Sequence, residues 1–439
     1  MTKNILISII ILVSGQILFA QQESGQIDQA IIQETIKSID SVIQRNYVYP
    51  DKAILIVNFL NSQYKQGYYR DITNPADFAN KITEDIRSIQ NDKHLRIEYN
   101  PKLEQDIIQF SISEQQKINI TKADIAKEKS QNFYFKKLEI LPSDIGYIEF
   151  TNFALPGEEA RKTIFAAMQF VSNTDALIID LRNNRGGAGE SNNILGYFFD
   201  KKTKTGRSFN RIKNVWTENY VKNIKGLTLN MPVYILTSTK TFSAAEGFAY
   251  ILQNQRNAKI IGMPTNGGAH LTRSFSLNNG FVGFIPYMRS ENEKTHTDWE
   301  GTGVIPDIYT TAENALLTAQ NEILKSKLAE ADENEKRKIQ WLINYNQSQV
   351  SGITPDSMML DKFTGRFAEF EITKQGGNLY FRDTNQKSET RFPMIPVTQT
   401  LFQIGGDYQV EFIDESDGKF QSINMSWSDG WTEKINRNP

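Results

Sequence analysis

Pro232-Val233-Tyr234-Ile235-Leu236-Thr237-Ser238-Thr239-Lys240-Thr241-Phe242-Ser243-Ala244-Ala245-Glu246 is the stretch on which the fold turns. An apolar run passes through a short polar turn into a segment that keeps apolar residues at helical spacing to Gln255, so it reads as strand, turn and helix in direct succession. The same alternation flanks it. Ile145 to Phe150 reads as a strand, Glu158 to Val171 as a helix, Ala176 to Leu181 as a buried strand followed by another helix, and Lys259 to Ile261 as a short strand. Strands that alternate with helices predict an α/β core. Thr272 to Leu277 and Phe281 to Tyr287 flank Asn278-Asn279-Gly280 and predict a hairpin on the edge of that core.

The regions on either side differ in pattern. Ile32, Ile36, Ile39 and Ile43 repeat at helical spacing, as do Phe78, Ile82, Ile86 and Ile89 behind Asn74-Pro75, which predicts a helical cap over residues 21–105. Leu95, Ile97 and Tyr99 alternate with Arg96 and Glu98 as a short strand after His94. Residues 106–312 hold the α/β part. Residues 313–355 are rich in helix formers and read as a helical linker, with a charged segment at Glu330 to Lys338. From 356 to 439, short aromatic strands (Gly365 to Ile372, Leu379 to Phe381, Tyr408 to Phe412, Phe420 to Trp427) alternate with Gly-Gly and Asp-Gly turns, which predicts a small all-β domain.

The chain has 439 residues, with 49 basic and 51 acidic side chains, so nothing favours a phosphate backbone and nucleic acid is excluded as a partner. Lys3, the apolar run Ile5 to Val13, and Leu18-Phe19-Ala20 ahead of a polar segment read as a signal peptide, residues 1–20. Gly15 and Gln16 cut the run below the ~20 residues of a membrane helix, so the mature chain is expected without a span, in the periplasm or secreted. There is no cysteine, which removes disulfides, thiolate zinc sites and a thiol nucleophile. Three histidines, His94, His270 and His296, limit any imidazole chemistry.

Ser243 follows a buried strand and opens a helix, where free backbone N–H groups and the helix dipole stabilise an oxyanion. The same position suits a plain N-cap, with Glu246 completing a capping box. Asp180-Leu181-Arg182-Asn183-Asn184-Arg185-Gly186-Gly187 places paired glycines after a strand, either to bring amides close to a ligand or to make a tight turn. Asn266-Gly267-Gly268-Ala269-His270 and Asp298-Trp299-Glu300-Gly301-Thr302-Gly303-Val304-Ile305-Pro306-Asp307 complete the set, and neither names a reaction alone.

In this order, together with Asp92-Lys93-His94-Leu95, these segments resemble the C-terminal processing (tail-specific) serine peptidases, in their tricorn-like and interphotoreceptor-retinoid-binding-protein-like branch, over residues 27–310. The resemblance implies a ClpP/crotonase-like α/β core and a serine peptidase that needs no metal or cofactor and acts on a peptide or protein substrate. The lysine-dyad branch carries Gly-Lys-Gly where this chain has Gly267-Gly268-Ala269, so a different base is required. The tricorn-like branch implies a triad of Ser243, His94 and Glu300, with the amides of Ala244 and of Gly186 or Gly187 as the oxyanion hole. His270 is the competing base, with substrate contact as its other role. As alternatives, His94 caps a loop and Glu300 ties down the Gly301 to Val304 turn. The segment between His94 and the core is too short for the PDZ domain usual in processing peptidases, which puts recognition of a free C-terminus in doubt, and Lys93 stands where a small hydroxyl residue is often found. Retinoid-binding relatives supply the alternative function, a non-catalytic protein for a hydrophobic ligand such as a lipid. Residues 356–439 resemble, more loosely, a lipocalin-like β-domain, through Phe363-Thr364-Gly365-Arg366-Phe367, Leu379-Tyr380, Pro393 to Pro396, Phe402 and Asp417-Gly418-Lys419, with its aromatics expected to form a core.

Overall fold

Asp28 and Asn74 start two of the expected helices with their side chains: Asp28 accepts the Ile31 N–H (2.9 Å) and Asn74 accepts those of Ala76 and Asp77, with Pro75 pre-set in the first turn. The computed structural model describes residues 25–112, 121–187, 189–350, 352–386 and 389–439. The signal-peptide segment, residues 1–20, lies outside them. Among the described residues no helix is long and apolar enough to cross a membrane.

The chain divides into two units. In the first, helices Gln29–Asn46, Pro50–Lys65 and Pro75–Ile89 bury Ile32, Ile36, Ile39, Ile43, Phe78, Ile82 and Ile86. Strand Arg96–Tyr99 pairs antiparallel with Phe281–Phe284, and helix Pro101–Ile112 follows. Residues 274–285 belong to this unit, so the tip of the expected hairpin is part of the cap and not of the α/β edge. The reason is local: buried Glu104 accepts the Ser276 hydroxyl (2.6 Å) and the Gly280 N–H (2.6 Å), and a Cβ at Gly280, where φ is +86°, would sit 2.6 Å from the Tyr99 ring.

The second unit is built on a six-stranded sheet in the order Ile308–Tyr309, Lys259–Gly262, Val233–Thr237, Ala176–Asp180, Ile145–Phe150, Phe135–Leu141, parallel except for the last pair. Every residue of the two central strands is buried, as expected of a parallel sheet covered on both faces. Helices Glu158–Phe170 and Ala244–Arg256 contribute Ile164, Met168, Phe248 and Leu252 to its main core. A hairpin the periodicity does not reveal, Thr203–Asn210 with Val215–Val221, pairs with Met288–Asn292.

Helices Ala315–Lys327 and Glu333–Val350 occupy the expected linker, and most of its charged segment is the first turns of the second helix. Eight antiparallel strands then run from Gly365–Phe367 to Thr432–Asn436, each paired to the next in sequence. A bridge from Phe367 to Arg437 nearly closes them into a barrel. Its interior holds the rings of Phe363, Phe367, Phe381, Phe402, Phe412 and Phe420, with Phe363 stacked on Phe420 at 5.0 Å. The single strand expected from Gly365 to Ile372 is two strands, because Ala368 takes a left-handed φ of 49° and turns Phe367 back against Phe370.

Candidate active site

Two turns at the carboxyl ends of adjacent parallel strands are tied together. After Val233–Thr237, the Thr241 hydroxyl donates to the Leu181 carbonyl (2.8 Å), the Ser238 hydroxyl to the Arg182 carbonyl (2.5 Å), and the Phe242 N–H to the Asn184 carbonyl (3.1 Å). The fully buried Asn184 side chain donates to the Phe150 carbonyl (3.0 Å) and accepts the Gly186 N–H (2.9 Å). This stitching brings the glycine pair against the serine. A Cβ at Gly186 would lie 3.0 Å from Ser243 Cβ and 3.1 Å from the Ala244 nitrogen, and one at Gly187 would lie 2.3 Å from the Phe153 carbonyl oxygen. Both glycines have positive φ, +96° and +128°, so they are required for backbone conformation as well as for space.

Ser243 has φ 57° and ψ −120°. For a residue with a side chain this is a sparsely populated conformation, worth on the order of 1–3 kcal/mol of strain that the surroundings must hold. Glu246 is part of what holds it. Wholly buried, it accepts the Ser243 N–H (2.7 Å) and the Gly268 N–H (2.9 Å) on one oxygen, and the Thr265 hydroxyl (2.5 Å) and Gly267 N–H (2.6 Å) on the other. Burial raises its pKa, against which those four donors act. The helix start thus has the Glu246 half of a capping box, and the same carboxylate fixes the Gly267-Gly268 loop.

That loop reaches the histidine. A Cβ on Gly268 would fall 2.2 Å from Phe242 Cε2 and 2.7 Å from His94 Cε1. The half-buried His94 ring stacks on Phe242 at 4.7 Å, directly before the serine in sequence, and its backbone N–H donates to Asp92 Oδ1 (3.0 Å).

Glu300 is held from the opposite side of the loop. Its Oε2 accepts the Ala269 N–H (2.7 Å), while Trp299 Nε1 donates to the Gly268 carbonyl (3.2 Å) and the Gly301 N–H to the Gly267 carbonyl (3.0 Å). Glu300 Oε2 also lies 3.4 Å from His270 Nδ1. Burial, then the Asp92 charge, pushes the Glu300 carboxyl up to about 7, with His270 and the Ala269 N–H opposing.

Two site expectations change. His270, considered as substrate contact or alternative base, has no exposed side-chain surface and bonds Asp92 Oδ2 at 2.7 Å, so it has no face to offer a peptide. The Gly186 N–H is engaged by Asn184, which leaves Gly187 as the amide of the pair for an oxyanion. His296 is exposed, away from these contacts. Asp92, Asn184 and Glu246 received no catalytic or positioning role from sequence; the Asp two residues before His94 and the Glu three after Ser243 were their only local signals. Among the described residues, one side-chain N or O atom from each of Asp92, His270 and Glu300 lies within 4.8 Å of the others, and His270 Nδ1 is committed to Asp92 Oδ2.

A strained serine at the head of a helix, after a buried parallel strand and beside a glycine turn and a histidine, is the layout of a serine-nucleophile site. Peptidase family S41 matches residues 144–310, and the N-terminal domain of that family in eukaryotic IRBP matches residues 29–134; the chain belongs to the S41 peptidase family. Carboxyl-terminal-processing peptidase 2 of the Arabidopsis thaliana chloroplast is 28% identical over 167 residues, 37% of this chain and 31% of that protein. The chain therefore spans about a third of the length of this curated relative. Among solved structures, a candidate peptidase from Parabacteroides merdae aligns with a TM-score of 0.48 at 19% identity, covering 68% of this chain and 98% of that one. The photosystem II D1 C-terminal processing protease aligns at 0.41 and 13% identity, covering 65% and 94%.

Proposed function

We propose that the chain is an exported serine peptidase that cleaves peptide bonds with Ser243 as nucleophile, His94 as base and Glu300 as the carboxylate that orients the base. The observation that carries the reading is the backbone of Ser243: a strained, left-handed φ of 57° at a helix start has no use in a plain N-cap, whose ordinary conformation is extended. His94 takes the Ser243 hydroxyl proton as the oxygen attacks the scissile carbonyl carbon, and the N–H groups of Ala244 and Gly187 receive the oxyanion. His94 then returns the proton to the leaving amine, and water, activated by the same ring, hydrolyses the acyl-enzyme. Glu300 stabilises the imidazolium formed in both halves. The core is read as ClpP/crotonase-like. Export, to the periplasm or the medium, is inferred from the apolar run near the start of the chain.

The test is labelling by a fluorophosphonate probe together with hydrolysis of a mixed peptide library. Wild type labels and hydrolyses; Ser243→Ala loses both, and His94→Ala loses roughly 10⁴-fold or more in rate while remaining folded. Peptide hydrolysis surviving in Ser243→Ala ends this reading. Stoichiometric retention of a lipid without any peptide turnover transfers the scaffold to the hydrophobic-ligand class.

A further inference from the structure

Glu300 belongs to a buried charge cluster whose other members the mechanism above does not use. His270 is surrounded by three carboxylates: Nδ1 is 2.7 Å from Asp92 Oδ2 and 3.4 Å from Glu300 Oε2, and Nε2 is 3.8 Å from Asp298 Oδ2. The side chains of His270 and Asp92 have no exposure, Glu300 has 7% and Asp298 12%. Three carboxylates this deep are stabilised by a cation among them or by taking up a proton. Asp92 faces two ways, with Oδ2 on His270 and Oδ1 on the backbone N–H of His94. Glu300 likewise has Oε2 on the Ala269 N–H and beside His270, while its buried Oε1 has no hydrogen-bond partner among the described residues.

We infer that His270, with Asp92, is a positioning residue of the active site: its ring sits between the Asp92 and Glu300 carboxylates, offsetting part of their repulsion, and, through Asp92, sets Glu300 in register with the segment carrying His94. The inference rests on the triad reading. In that arrangement Oε2 is anchored and Oε1 is left to serve the catalytic imidazole. His270 therefore touches neither substrate nor serine, and acts only through Glu300 and Asp92.

The electrostatics agree in sign. Burial pulls the His270 pKa down, but the Asp92 hydrogen bond and charge, followed by Glu300 and Asp298, outweigh it and raise it above its ordinary value, which favours the cationic ring. Burial pushes Asp92 up, and His270 outweighs it to hold Asp92 low. The charged groups facing His270 are Asp92, Asp298 and Glu300; His94 acts on Asp92, and Glu246 is engaged by the Gly267 and Gly268 N–H groups. Because Glu300 must be ionised to work, hydrolysis falls as pH drops through about 7.

Replacing His270 by Gln removes the cation but keeps a hydrogen-bonding side chain. The acidic limb of kcat then moves up by roughly 1–3 pH units, the change an opposite charge at this distance makes, with KM within about twofold because no substrate contact is lost. In Asp92→Asn/His270→Gln the limb moves back down, since the Asp92 charge acts on Glu300 more strongly than His270 does. A His270→Gln profile that superimposes on wild type, or a double variant displaced further upward, overturns the inference. A second readout needs no activity: with only three histidines, selective labelling lets NMR follow the His270 ring. A wild-type ring that titrates above the ordinary imidazole value, and lower in Asp92→Asn, supports the cluster, and a wild-type ring that titrates below the ordinary value refutes it. If Ser243→Ala shows the triad reading to be wrong, the NMR result still decides whether His270 holds the charge.

Discussion

Gly268→Ala adds one methyl group at the point where the loop, the aromatic platform and the proposed base meet. The backbone accepts it, since Gly268 does not have the positive φ that strains a side chain, so the whole effect comes from space. The added carbon would stand 2.2 Å from Phe242 Cε2, 2.6 Å from Cζ and 2.7 Å from His94 Cε1, all well inside the 3.4 Å at which ordinary contact begins. Either the ring pair or the loop must move by roughly 1 Å. The loop is pinned by Glu246 through the Gly267 and Gly268 N–H groups and by Trp299 through the Gly268 carbonyl, so the Phe242–His94 stack yields. A misplacement of about 1 Å lowers turnover by about 10²-fold, while overpacking costs about 1–3 kcal/mol of stability. The assay is the second-order rate of fluorophosphonate labelling and peptide kcat/KM at a temperature where melting curves show the variant folded. Gly352→Ala, whose added carbon meets nothing within 4 Å, serves as control. Labelling of Gly268→Ala within threefold of wild type would refute the placement of His94 against this loop.

Glu246→Gln should destabilise the site whichever way the amide is turned: each carboxylate oxygen accepts from two donors, so the NH2 group always faces two of them. The loss is expected on the order of 3 kcal/mol, read by denaturant unfolding, and a change under 1 kcal/mol speaks against the network. Phe363→Ala empties the centre of the β-barrel, where Phe363 contacts Phe402, Phe412 and Phe420, and should cost about 3–5 kcal/mol with kcat/KM at 25 °C unchanged. A parallel fall in kcat/KM would give the barrel a part in catalysis.

Much of the architecture is local in origin and so is written in the sequence. The Ile32, Ile36, Ile39, Ile43 spacing, the Asn74-Pro75 start and the largely apolar strands at residues 176–180 and 233–237 each encode their element through side-chain pattern and capping, which need no distant partner. The nucleophile candidate was legible for the same reason, because strand, turn, Ser243 and helix are contiguous. What the sequence left open is what depends on the third dimension. Ala368 turns a run of β-formers into two strands because Phe367 and Phe370 both reach the barrel interior. The hairpin at 203–221 carries exposed residues on most of its second strand, so it lacks the alternation that marks a half-buried strand. Above all, sequence offered two histidines and several carboxylates without saying which face one another. Folding stacks His94 on Phe242, next to Ser243, and seals His270 among Asp92, Asp298 and Glu300, residues up to 208 positions apart that lie within hydrogen-bond or ion-pair reach of one ring. Local pattern fixes which residue starts a helix, but burial decides whether a histidine is a base or a counter-charge, and only the packed chain sets burial.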